Sequence, residues 1–237
     1  MQYCRLLHHG IANSKKGHLM TQSQAANDAP GRSLFPEYDT LYDLIAAEVQ
    51  GLTDEQLDWR SDQWEWADWS IRTQVSHMAS LLYRWLAVRW GETLFPGGAH
   101  GVDDVDGIAK STSDRRLDDD SYHELSVILD ALKGGISLAQ RVMDERNVGF
   151  LRSHTIPHQR SPQWVLMFKA HPSGIEPTSA VEEGTISLEA TLRHMYFEEV
   201  THLYNIQRLK RAQGLPTFVE VPRVGYWVLE GWDRSEA

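Results

Sequence analysis

The chain of 237 residues has a single cysteine, Cys4, which excludes an internal disulfide framework, a CxxC redox pair and a cysteine-based zinc site. It has no apolar run approaching the roughly 18 to 20 residues that cross a bilayer. Positive charge is also scarce. Lys and Arg number 23 against 33 Asp and Glu, a formal charge of −10 that argues against a broad nucleic-acid or anionic-membrane surface. A small anionic substrate would have to be met by a local arginine or by a metal. Several motifs are missing too: there is no GxSxG elbow, no GxxxxGK[ST] loop, no GxGxxG and no HExxH, which removes the commonest hydrolase, nucleotide and zinc-protease readings. The first 34 residues carry Lys15, Lys16 and His18 among polar residues and lack the apolar stretch of a signal peptide. They read as a mobile tail, with Met20 as an alternative start, and residues 35–237 read as one domain of a cytoplasmic protein.

What is present is a core and helices. The chain is 41% hydrophobic and 10% aromatic, enough to bury a substantial interior. Tyr38, Leu41, Tyr42, Ile45, Val49 and Leu52 recur at three- and four-residue steps and predict an amphipathic helix from near Pro36 to near Gly51. Thr53 and Gln56 match a capping box for a short turn through Leu57. Trp64, Trp66 and Trp69 then crowd into six residues and demand burial, in a core or along a pocket wall. Asp68 or Ser70 caps a second long helix that runs to about Trp90 through Ile71, Val75, Met78, Leu82 and Leu86. Gly91 to Asp120 has loop composition. Within it, Asp104-Val105-Asp106-Gly107 resembles the start of a calcium loop, without the remaining ligand positions or the closing Glu.

Ser121 and Glu124 match a second capping box before a helix with the apolar face Leu125, Ile128, Leu129, Leu132, Ile136, Ala139 and Met143. Gly134-Gly135 interrupts that helix at about 1 kcal/mol per glycine, which suits a close approach by another backbone. Gly149 to Gly184 gives no clear pattern, and its apolar run Trp164 to Phe168 fits a buried helix or a strand. Ser187 opens the last long helix, Leu188 to Gln213, which stops at Gly214-Leu215-Pro216. The tail from Phe218 to Trp232 fits a short hairpin or a strap over the helices. Four long helices with two long connections predict an all-α four-helix bundle with a short irregular or β-like C-terminal tail.

The chemistry falls on that last helix. Glu198 and His202 lie four residues apart and stack on one helical face, close in angle to Met195, Ile206 and Leu209. A carboxylate turned toward an apolar face has to be protonated, paired or bound to a metal. The plain alternative is a hydrogen-bonded Glu198 and a satisfied core histidine at 202. His194 also lies four residues from Glu198 but is rotated toward the flank of the helix, a rim or outer-shell position, and Glu199 sits on the other flank. A third ligand has to come from another helix, and His77 is the histidine inside the second one, although its place beside the apolar stripe also fits a surface histidine.

At this point the chain resembles a known superfamily. Gly51-Leu52-Thr53-Asp54-Glu55-Gln56-Leu57-Asp58-Trp59, then Trp69-Ser70-Ile71-Arg72 and His77-Met78-Ala79, are similar to the opening of the DinB/YfiT-like four-helix metalloproteins. The run Glu198-Glu199-Val200-Thr201-His202-Leu203-Tyr204-Asn205-Ile206, closing at Gly214, is similar to their last helix. The match covers most of Tyr38 to Leu215, and the long middle connection is its weakest part. The resemblance implies metal ligands at His77, Glu198 and His202. Most members have histidine where this chain has Glu198, and the glutamate resembles the mycothiol-dependent maleylpyruvate isomerase branch. Two histidines and a carboxylate suit zinc, or iron or nickel, with open coordination positions. The expected function is metal-dependent transfer of a low-molecular-weight thiol (mycothiol, bacillithiol or glutathione) or isomerisation of a small molecule. The alternative is a non-catalytic metal- or ligand-binding stress protein. Arg193, Tyr204, Trp66 and Trp69, with His194, are the expected pocket residues, and the family resemblance implies a homodimer.

Overall fold

The computed structural model describes residues 26–158, 168–176 and 183–237. The chain is mostly helical, with one small antiparallel sheet. The expected tail over 1–34 is shorter than its composition suggests. Gly31 donates its backbone N–H to Arg146 O at 2.8 Å and Val148 donates to Ala29 O at 2.9 Å, so residues 29–31 are tied to the body of the fold. Residues 1–25 lie outside the described residues.

The first predicted helix divides in two: a 3₁₀ turn, Pro36–Asp39, and then α1, Leu41–Val49. Its periodic face is buried as expected, with Tyr38, Leu41, Ile45 and Val49 in the core. The Tyr38 hydroxyl donates to Leu192 O at 2.8 Å, which satisfies the one polar atom on that face. Gly51, at φ +81°, turns the chain out of the helix. The Thr53–Gln56 capping box forms, with both reciprocal bonds, ahead of α2, Asp54–Asp58.

Ser70, rather than Asp68, caps α3, Ile71–Tyr83, by accepting from Thr73 N. The helix continues without a break as a π-helical turn, Arg84–Arg89, so the expected single helix to Trp90 is there but widened at its end. The connection expected as loop holds two short helices, α4 (Gly91–Leu94) and α5 (Val105–Ala109). Asp104 caps α5 through Gly107 N at 2.9 Å and takes the Tyr122 hydroxyl on its other oxygen at 2.8 Å, which accounts for the aspartate of the apparent calcium loop.

The next long helix, α6, is Leu125–Glu145. Its expected capping box is not formed: Glu124 is the cap residue and makes no side-chain cap bond, while the Ser121 N–H is taken by Asp118. The helix runs straight through Gly134-Gly135. What approaches there is the α3 helix through its side chains. A Cβ on Gly134 would clash with Tyr83 Oη, and one on Gly135 would meet Leu82 Cδ1 at 2.9 Å and Tyr83 Cε2 at 3.0 Å. The Tyr83 hydroxyl lies in that notch and donates to Ala131 O at 2.9 Å.

After α7, Val148–Ser153, the patternless segment supplies the sheet: β1 (Thr155–His158), β2 (Ile175–Glu176) and β3 (Gly184–Ser187), in the order β1-β3-β2. Thr155 pairs with Ser187 and Ile175 with Ile186, which sets Ser187 to cap α8, Leu188–Ala212. Most of the run Trp164 to Phe168 lies outside the described residues. In the core, α3 packs against α6 and α8, and α1 against the same pair. Trp90, fully buried, joins the end of the α3 helix to α8 through its indole N–H and Thr191 Oγ1, 3.1 Å apart.

The tail is a strap and not a hairpin. Phe218 N and Val219 N both donate to Glu48, whose carboxylate also holds Lys210, so α1, α8 and the tail meet at one buried ion pair. Further on, a 3₁₀ turn, Tyr226–Val228, lies over α8, and no strand forms in residues 218–237. Among the described residues, no helix is long and apolar enough to cross a membrane.

Candidate metal centre

The packing of α3 on α8 brings His77, Glu198 and His202 together, and the three offer ligand atoms that all lie within 4.8 Å of one another. His202 Nε2 stands 3.6 Å from Glu198 Oε2. Zinc bonds of about 2.0–2.2 Å set tetrahedral ligand atoms about 3.4 Å apart, so this pair already has the separation a shared ion needs. The His77 and His202 rings are 4.6 Å apart between centroids. This group could hold a metal ion.

The surroundings decide which atom each histidine presents. His77 Nδ1 faces Arg115 O at 3.1 Å, and His202 Nδ1 faces Gln74 Oε1. Both partners are acceptors. Each therefore fixes the ring proton on Nδ1 and leaves the Nε2 lone pair free, as the outer partners of metal-bound histidines do. Gln74 sits one turn before His77 on α3 and is itself buried. Arg115 follows Asp114 with both residues in the left-handed region, at φ 62° and 41°. That strained backbone aims a loop carbonyl at His77, and strain of this kind is held in place only by surrounding structure.

The charge state suits a cation. Burial, then His202 and Arg84, hold His77 well below the usual histidine range, so it is a neutral donor at neutral pH. Burial pushes Glu198 up, but the nearby His202, His194 and His77 outweigh it and leave it at about 2. The carboxylate is thus ionised, and the His77 ring near it is neutral. The apolar face predicted for this pair is confirmed only at its border. Met195, Ile206 and Leu209 are fully buried, whereas the Glu198 side chain is 28% exposed and that of His202 13%. The centre opens to solvent on the glutamate side, with His77 at its floor.

Trp69 forms the wall of this opening. Its ring lies 5.0 Å from His77 and stacks on His202 at 6.1 Å, with an interplanar angle of 10°. The other expected pocket residues are engaged elsewhere. Trp66 stacks on Trp64 at 5.2 Å, and its indole N–H donates to Ser235 Oγ at 3.3 Å. Tyr204 stacks on Trp227 at 4.5 Å. Arg193 is paired with Glu189, one turn earlier on α8, and Glu189 is paired in turn with Arg152.

His194 is buried rather than at a rim. Its Nδ1 lies 2.7 Å from the Tyr226 hydroxyl, which also reaches His171 Nε2 at 3.1 Å. Burial lowers His194 to about 4 and His171 to about 3. Tyr226 therefore donates to one neutral ring and accepts an N–H from the other. Glu199 makes no outer-shell contact. It is fully buried with both carboxyl oxygens unpartnered among the described residues, and burial, reinforced by Glu198, pushes it well above the carboxylate range.

Sequence reasoning missed Gln74, Arg115 and Arg84. Gln74 carried a signal, a polar side chain one turn before His77 on a helix that buries it. Arg84 carried one as well, seven residues after His77 and so on the same helical face. Arg115 carried none, because it arrives through a loop. Comparison with protein-family models, with curated proteins and with solved structures finds no match to this chain.

Proposed function

We propose that this chain is a divalent-metal protein of the DinB/YfiT-like four-helix type that uses its metal to act on a small molecule, as a thiol transferase or an isomerase. The observation that carries the metal reading is the convergence of His77, Glu198 and His202 with both Nδ1 atoms engaged by acceptors, which turns two imidazole lone pairs and one carboxylate toward a shared point. The family, the thiol and the dimer rest on the resemblance in the second and last helices. Zinc suits the donor set best, and iron or nickel accept the same one.

A bound divalent ion would supply acidity, so that a thiol at its open position ionises near neutral pH. The chain's own residues do the rest. Gln74 and the Arg115 carbonyl hold the two imidazoles in register. Trp69 walls one side of the opening, and the exposed edge of Glu198 leaves room for entry.

The test is metal analysis of untagged protein beside Glu198→Gln and His202→Ala, followed by cobalt substitution. One metal per chain, lost in both variants, is expected. Full metal content in both variants sinks the assignment. A cobalt spectrum that no low-molecular-weight thiol perturbs removes the transferase reading and leaves a metal-binding protein of another role.

A further inference from the structure

Arg84 continues the α3 helix beyond His77. It follows His77 by seven residues on a continuous helix, about 20° away in angle and roughly 10 Å along the axis. It is the first residue of the π-helical turn, a distortion that recurs at functional sites because it re-aims side chains. Its guanidinium Nε and Nη2 are buried and have no hydrogen-bond partner among the described residues. A buried arginine is normally paired, because its fixed donors are costly to leave unmade. Here the charged neighbours are Arg115, Glu198, Asp114 and Arg89, and neither carboxylate forms an ion pair with it.

Arg115 adds to the same side. Its carbonyl holds His77, while its guanidinium stands 5.4 Å over the Trp69 ring with more than half of the side chain exposed. A buried arginine on the His77 face of the helix and an exposed one over Trp69 lie near the centre in a protein whose formal charge is −10.

We propose that Arg84 is the anion-binding arm of this centre and takes the carboxylate of a small substrate whose donor atom occupies the open position at His77, Glu198 and His202. The planar fork of a guanidinium matches a carboxylate with two parallel N–H bonds, and the two orphaned donors are the pair such a contact uses. The inference rests on the metal reading for the second half of the substrate and on Arg84 alone for the first.

The full chain loaded with cobalt(II) is titrated with 3-mercaptopropionate and with 3-mercapto-1-propanol, which share a thiol and a spacer and differ in the carboxylate. The carboxylate thiol should bind at least about tenfold more tightly, read from the cobalt absorption. Arg84→Met should abolish that preference and Arg84→Lys should keep part of it, with cobalt stoichiometry unchanged in both and Tm not lowered in Arg84→Met. Equal affinities in the unaltered chain, or a preference that survives Arg84→Met, overturns the assignment. If cobalt is not held, or neither thiol alters its spectrum, the metal and thiol reading fails while the arginine is still tested. In the metal-free chain, propionate should shift the Nε–H resonance of Arg84, identified by its loss in Arg84→Met. A resonance that does not move with tens of millimolar propionate overturns the subsite.

Discussion

Glu48 and Lys210 form an ion pair with both side chains at 0% exposure, and removing the carboxylate should cost the protein more than any comparable surface change. Lys210 Nζ donates to Glu48 Oε1 at 2.5 Å and to the Glu48 carbonyl at 2.7 Å; Gln207 Nε2, Phe218 N and Val219 N donate to Oε2 at 2.9, 3.0 and 3.1 Å. Glu48→Ala leaves a buried ammonium without its counter-charge, a change that costs about 3–5 kcal/mol. Against a total stability of about 5–15 kcal/mol, and at about 2–4 °C per kcal/mol for a chain of this size, Tm should fall by about 6–20 °C. The double variant Glu48→Leu with Lys210→Met removes both charges together and should recover most of the loss.

The same pair predicts a pH dependence. Burial pushes the Glu48 carboxyl up, but Lys210, Gln207 and the two tail amides outweigh it and hold the group below its ordinary value. A depressed folded pKa means stability that is present above the unfolded value of about 4.3 and is lost as pH falls through the folded pKa. Thermal unfolding followed by circular dichroism from pH 7 down to about pH 3 should therefore show a steeper acid loss in the unaltered chain than in the double variant. A Tm change below about 3 °C in Glu48→Ala, or a double variant as unstable as the two single losses combined, would refute the reasoning.

Two further outcomes are expected. Gln74→Leu removes the acceptor that orients His202 and should weaken metal binding about 10–100-fold while leaving Tm near its starting value, measured by competition with a chelating indicator; unchanged affinity would show that the Gln74 contact orients nothing. Gly135→Ala gains up to about 1 kcal/mol of helix propensity but drives a methyl into Leu82 and Tyr83, an overpacking cost of about 1–3 kcal/mol, so Tm should fall; a rise would mean that the α3 and α6 helices separate freely there.

Local chemistry was legible in the sequence where one element settles its own conformation. The 3.6-residue spacing of Leu41, Ile45 and Val49 marked α1, Thr53 and Gln56 marked the α2 cap, and Ser187 with Gly214 bounded α8, because propensity and capping act within a few residues. The Glu198 and His202 stack was legible for the same reason, whereas the place of His77 in the second helix also fitted a surface histidine and only the family resemblance implied a ligand there. The Ser121–Glu124 box does not form: the helix starts at Leu125 with Glu124 as its cap, and the Ser121 N–H goes to Asp118.

Long-range packing decided the rest. The pairing of Thr155 with Ser187 across a segment without hydrophobic pattern needs partners that no local window contains. Trp66 and Trp69 are three residues apart with the same side chain, yet one is held by the C-terminal strap at Ser235 and the other stacks on His202. The carbonyl of Arg115 reaches His77 only because a strained loop folds back over α3, and the free donors of Arg84 come to matter only once α8 lays Glu198 beside them. Spacing along one helix determines which residues can share a face. What stands opposite that face is set by how helices and loops distant in sequence pack together.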